Sequence, residues 1–116
     1  MQDNVLQSKY TRLKHDLETT GMGSMKCFGN SMLPILPNAS TCYYEVRDSY
    51  NKGDIVFCKV KGRWIDSHLI TGVKIEKGIK VYKISNNHGH ENGWTSTIYG
   101  KVIKSIDNIG RIKEFK

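Results

Sequence analysis

The chain has little proline, few cysteines, no long apolar run and a shortage of acidic residues. Its two prolines, Pro34 and Pro37, stand within one stretch, so the rest of the 116 residues is free of that constraint. The three cysteines, Cys27, Cys42 and Cys58, include no Cys-x-x-Cys pair. An odd count at irregular spacing excludes a disulfide framework. Each lies in an apolar stretch, where a free cysteine packs as a small hydrophobe, and a reducing, cytoplasmic compartment is the expectation. No apolar run approaches the ~18 residues of a spanning helix. The polar N-terminus lacks a signal-peptide core, so neither a membrane span nor a leader is expected. Eleven Asp+Glu against eighteen Lys+Arg leave a net charge of +7. Such a balance favours acidic partners, nucleic acid or anionic membrane. No run of five like charges exists, however, and the basic residues are spread along the chain, which is also the pattern of an ordinary basic surface.

The length fits one domain. Residues 3–20 read as a helix, because Leu6, Tyr10, Leu13 and Leu17 recur on one face. Asp3 is placed to cap its start, and Gly21 stands just past its end. The stripe is expected to dock on the domain; a basic helix lying on nucleic acid or a membrane surface is the other reading. Met22-Gly23-Ser24 reads as a hinge-like joint. Division into an N-terminal helix, 1–21, and a β domain, 22–116, follows. Short strands are expected at 24–28, 41–46, 55–61, 63–75 (bent near Gly72), 79–84, 98–106 and 109–115, with 86–93 a loop of turn formers. Strand 55–61 alternates and is expected to be half buried. Strands of this length with turns between them predict a mainly β fold, a sheet or partly closed barrel with one N-terminal helix.

Both prolines belong to Gly29-Asn30-Ser31-Met32-Leu33-Pro34-Ile35-Leu36-Pro37. They fix their own φ and push the preceding residues toward extended geometry, so no helix runs through the stretch and a rigid turn holds Ser31. Serine is a weak nucleophile that needs a fixed position and a nearby base.

Gly-Asn-Ser-Met-Leu-Pro-Ile resembles the nucleophile motif of the signal-peptidase and LexA-type serine peptidases. Gly53-Asp54-Ile55-Val56 resembles a strand entry of that superfamily. Ser67-His68-Leu69-Ile70 stands where its histidine-type members carry their base and others carry lysine. Lys83-Ile84-Ser85-Asn86-Asn87, then Tyr99-Gly100-Lys101-Val102, resemble its later segments. The resemblance covers about Cys27 to Ile103. It implies a small LexA/signal-peptidase-type β barrel, Ser31 as nucleophile and its backbone N–H as one oxyanion donor. It also implies His68 as base, with Asn30, Met32 and Pro34 beside the substrate. A histidine takes a serine proton at neutral pH without special tuning. The orienting aspartate of the histidine-type members is missing, since Ser85 stands in the Gly-Asp position. Glu91, Asp66, Asn86 and Asn87 are the candidates to replace it. A minimal, anchorless version of the fold suits a phage or mobile-element protein.

His88, His90 and Glu91 look like a metal cluster, but no further ligand stands at a suitable spacing, and neither metal nor cofactor is expected. Trp64, Trp94 and the tyrosines among lysines offer a stacking surface for single-stranded nucleic acid, with no recognised phosphate motif beside it. The expected function is cleavage of the chain itself or of an extended peptide or protein partner by a Ser31–His68 dyad. A catalytically inactive domain that binds a protein partner through the same groove is the alternative.

Overall fold

The computed structural model describes residues 5–115, with side chains from Lys9 onward. Helix α1 (Val5–Thr20) precedes strands β1 (Met22–Cys27), β2 (Ser40–Glu45), β3 (Ile55–Val60) and β4 (Arg63–Glu76). Strands β5 (Ile79–Ser85), β6 (Glu91–Thr95), β7 (Ile98–Ile106) and β8 (Ile112–Glu114) follow. The sheet is antiparallel with order β1-β2-β7-β3-β4-β5-β6, and β8 pairs with β7. The mainly β fold with one helix is thus as the strand pattern predicts. The capping role assigned to Asp3, and the side chain of Leu6, lie outside the described residues.

Two hydrophobic cores lie on opposite faces of β3. Leu13 and Leu17 of α1 pack with Met25, Cys27, Met32, Leu36, Tyr44, Ile55, Phe57 and Val102 in the first. Val56, Cys58 and Val60 face the other way and pack with Tyr50, Ile70, Tyr82 and Ile84 in the second. The expectation of a half-buried strand at 55–61 is therefore corrected. Alternation there is real, but both faces are covered, so β3 has no solvent side. The second core is enclosed because β4, β5 and β6 curl back toward β3. Thr95 Oγ1 donates to the Lys59 carbonyl at 2.6 Å and the Lys59 N–H donates to the Thr97 carbonyl at 3.2 Å, which closes the curl.

Two further expectations are revised. Met22-Gly23-Ser24 is no hinge but the start of β1, in register with Glu45, Tyr44 and Tyr43. Gly23 is needed there because the helix runs so close that a Cβ would stand 2.7 Å from Leu13 Cδ1. The predicted 86–93 loop is shorter, since β6 begins at Glu91. Its polar, glycine-containing sequence hides an edge strand whose ladder partner is β5. Helix α1 does end as read. The Gly21 N–H donates to the Leu17 carbonyl at 3.0 Å, with φ +78° at Gly21.

At the foot of β3, Lys101 Nζ donates to Asp54 Oδ1 at 2.9 Å, and both side chains are about nine-tenths buried. The Ile70 N–H donates to the Asp54 carbonyl, so the pair also ties β4 to this corner. Removing one partner of such a pair leaves the other charge buried. Asp54→Ala is expected to cost about 3–5 kcal/mol of unfolding free energy in urea titration, while the double variant Asp54→Leu/Lys101→Met recovers most of it.

Candidate active site

Between β1 and β2 the chain makes a tight series of turns through Ser31. The Leu33 N–H donates to the Asn30 carbonyl and the Leu36 N–H to the Met32 carbonyl, while Asn38 Oδ1 accepts from the Gly29 N–H at 2.7 Å. Met32 and Leu36 point into the first core and anchor the turn from beneath. The Leu33–Pro34 peptide is cis.

The loop after β5 holds the turn from the side. The Asn87 N–H donates to the Ser31 carbonyl at 2.9 Å, and Asn87 Nδ2 donates to the Leu33 carbonyl at 2.8 Å. His88 Nε2 donates to the Asn30 carbonyl at 3.0 Å. Asn87, a candidate for orienting the histidine, thus fixes the backbone that carries the serine. The Ser31 carbonyl is used in this way, while its N–H and hydroxyl meet no partner among the described residues.

Ser31, Met32, Cys27, Asp66 and Ser67 line a cavity of about 20 Å³, room for one water-sized group. Asp66 and Ser67 reach it through a bulge in β4. His68 pairs with Val56 and Ile65 with Cys58, so Asp66 and Ser67 together oppose the single residue Phe57. Ser67 has φ +38°, unusual for a residue with a side chain, and its hydroxyl is turned into the protein. There Ser67 Oγ lies 2.5 Å from Tyr44 Oη and 3.3 Å from Cys27 Sγ, with Cys27 Sγ 3.2 Å from Tyr44 Oη.

His68 follows the bulge. Its Nδ1 donates to the Asp66 main-chain carbonyl, which has no proton to give and so fixes the tautomer, leaving Nε2 with its lone pair. No hydrogen bond joins His68 to Ser31 among the described residues. The direct ladder partner of His68 is Val56 of the second core, whereas Ser67 faces the first.

The carboxylates stand elsewhere. Asp66 Oδ2 accepts from Tyr10 Oη of the helix at 3.2 Å, and burial followed by this carboxylate pushes the Tyr10 hydroxyl pKa upward. Glu91 is exposed, pairs with Lys83 at 3.8 Å and lines a cavity at the β3–β4 turn, so it does not orient His68 here. Of the residues expected beside the substrate, Met32 lines the small cavity but is almost wholly buried. Asn30 is exposed and presents its carbonyl to His88, and Pro34 lines a separate cavity of about 310 Å³ against the β7–β8 turn.

Sequence reasoning missed Tyr44 and Ser67. Tyr44 read as an aromatic strand residue and as one of the tyrosines of a stacking surface, whereas it is fully buried. Ser67 became visible once the bulge turned it inward. No group of three or more His, Cys, Asp or Glu side chains among the described residues is arranged to hold a metal ion, and no described helix is long and apolar enough to cross a membrane. No family model, curated protein or solved structure matches the chain.

The cysteines differ in environment. A hydrogen bond from Cys42 lowers the Cys27 thiol pKa against the opposing effect of burial, and the same bond with burial raises Cys42. Burial pushes Cys58 up to about 12. The thiolate is the reactive form. Mild alkylation near pH ~8, just below the ordinary thiol pKa, is therefore expected to modify Cys27 well before Cys42 or Cys58. Peptide mass mapping gives the order; equal rates, or Cys58 first, would contradict this assignment.

Proposed function

We propose that the chain is a serine peptidase-like domain in which Ser31 is the nucleophile and His68 the base, acting on an extended peptide segment. The observation that carries this reading is the Asp66 carbonyl on His68 Nδ1. It supplies with main chain what the sequence lacks in carboxylate. It holds the imidazole in the tautomer whose Nε2 accepts a proton.

Three further features support the reading. The Ser31 hydroxyl is unengaged on a turn held through its backbone. The Ser31 N–H is likewise unengaged, as an oxyanion donor must be before substrate arrives. Ser67, the neighbour of His68, lines the same small cavity as Ser31. In the reaction, His68 Nε2 takes the Ser31 proton as Oγ attacks the carbonyl carbon, then gives it to the leaving amine. The mechanism requires the His68 ring to reach Ser31 Oγ in the working complex, where hydrogen bonds that are long or misaligned in an unliganded site tighten.

A specific observation favours the alternative of binding without cleavage. Ser31 and His68 share no hydrogen bond, and the ladder partner of His68 belongs to the opposite face of the sheet. One experiment separates the two. A fluorophosphonate reagent, which reacts only with an activated serine, is expected to label wild type at Ser31 and to leave Ser31→Ala unlabelled. His68→Ala is expected to label about a hundredfold more slowly, the scale of a positioned base. Labelling as slow as in the unfolded chain would sink the peptidase reading and leave a binding domain.

A further inference from the structure

Two free thiols lie side by side beneath the Ser31 turn. Cys27 ends β1 and Cys42 stands on β2. The ladder partner of Cys42 is Met25, and that of Cys27 is Ser40. The two cysteines are thus diagonal neighbours on one face of the β1–β2 ladder, and both belong to the first core. Cys42 donates a hydrogen bond to Cys27 Sγ. The Ser31–His68 chemistry uses neither sulfur.

The pair is unequal. Cys42 has no exposed surface, whereas Cys27 keeps 8% and borders the small cavity that Ser31 and Ser67 share, beside the exposed Phe28 and Gly29. Tyr44 Oη stands 3.2 Å and Ser67 Oγ 3.3 Å from Cys27 Sγ. These hydroxyls are 2.5 Å apart, so one donates to the other and the second donates to the sulfur. Burial raises the Tyr44 pKa well above the usual tyrosine value, so that hydroxyl keeps its proton. The bond from Cys42, with those from Ser67 and Tyr44, lowers the Cys27 pKa against burial and the Asp66 carboxylate. Thiolate character, some access and a second thiol alongside are the marks of an oxidisable cysteine.

We propose that Cys27 and Cys42 are a peroxide-sensitive dithiol whose oxidation reshapes the cavity beside Ser31. The Cys27 thiolate attacks one oxygen of hydrogen peroxide. The S–O bond forms as the O–O bond breaks, and the departing hydroxide leaves as water with the proton that the thiol released. Sulfur loses two electrons and the peroxide gains them. Cys42 sulfur then attacks the sulfenic sulfur, the S–S bond forms, and the hydroxyl leaves as a second water with the Cys42 proton. Diagonal positions stand somewhat farther apart than opposed ones, so the bridge draws β1 and β2 together and is strained. Strained bridges are the readily reduced kind, which makes the change reversible by thiols. Bridging also takes Cys27 Sγ away from Ser67 and Tyr44. Cys27 and Ser67 both line the Ser31 cavity, so its wall moves with them. The effect on Ser31 rests on the peptidase-like reading, whereas the oxidation itself does not.

The test treats the folded protein near neutral pH with one equivalent of hydrogen peroxide, with and without dimedone, and maps the peptides by mass without reductant. Without dimedone, a Cys27–Cys42 bridge within one chain is expected, reversed by dithiothreitol. Dimedone present from the start is expected to trap the sulfenic acid on Cys27 at the expense of the bridge, at least about tenfold faster than any oxidation of the fully buried Cys58. Cys42→Ser is expected to keep the Cys27 adduct and lose the bridge, and the wild-type map decides the matter should that variant not fold. Fluorophosphonate labelling of Ser31 is expected to slow about tenfold on bridging and to recover with dithiothreitol. If the reduced protein takes no fluorophosphonate, the peptidase reading fails while the map still decides the dithiol. Three results would overturn the proposal: oxidation first at Cys42 or Cys58, bridges only between chains, or no change at Cys27 under conditions that oxidise the urea-unfolded chain. Equal labelling of Ser31 in the reduced and bridged protein would overturn the coupling to the cavity.

Discussion

Strand β3 is the constraint on which the other elements depend. Ile55 and Phe57 enter one core while Val56, Cys58 and Val60 enter the other, and the exposed polar face usual in a sheet of this size is missing. Burying both faces requires two covers. On one side α1, β1, β2 and the Ser31 turn supply it; on the other, the β4–β6 curl does. Neither cover is a separate unit, because each needs β3 as its floor. The buried Lys101–Asp54 pair sits at the corner where β3, β4 and β7 meet. A change there is felt by both cores.

The candidate site lies where the two covers touch. Ser31 belongs to the β1–β2 connection, whose Met32 and Leu36 are part of the first core. Asn87 and His88, which grip the turn, belong to the loop that leaves β5 in the second. His68 and Ser67 come from β4, which borders both. The Ser31 turn meets Asp66 and Ser67 of β4 as a consequence of folding around β3. The hydrogen bonds that set it are mostly from side chain or amide to main-chain carbonyls, so they constrain the path of the chain more than the identity of its side chains.

That distribution explains what the sequence revealed. The Leu13 and Leu17 stripe, the alternation in β3 and the Gly21 stop signal are local patterns, and each was legible. The curl was not, because closing β6 against β3 depends on Thr95 and Lys59, which carry no periodic signal. Strand β6 itself was hidden by Asn92 and Gly93, residues that read as turn formers and here serve an edge. The orienting group for His68 was sought among carboxylates and amides, the side chains that sequence can show. The structure uses the Asp66 carbonyl, and a main-chain acceptor leaves no trace in residue identity. Tyr44 and Ser67 were invisible for a related reason. Their bond depends on a bulge that turns Ser67 off the regular alternation of β4.

The same bulge limits what a serine motif can say. Prolines, glycine and the Asn87 clasp determine the turn at Ser31 through the backbone, so the turn survives whether or not chemistry is done there. The direction of His68 is set independently, by two residues of β4 opposing one of β3. With the bulge at Asp66 and Ser67, one carbonyl holds the ring while the side chain keeps the face of Val56. Moving the bulge beyond His68 would exchange the faces of Ser67 and His68, since side chains alternate along a strand. The face that His68 presents therefore rests on where β4 places its irregularity. Two chains with the same serine turn and the same histidine can differ in the face the imidazole takes through that placement alone.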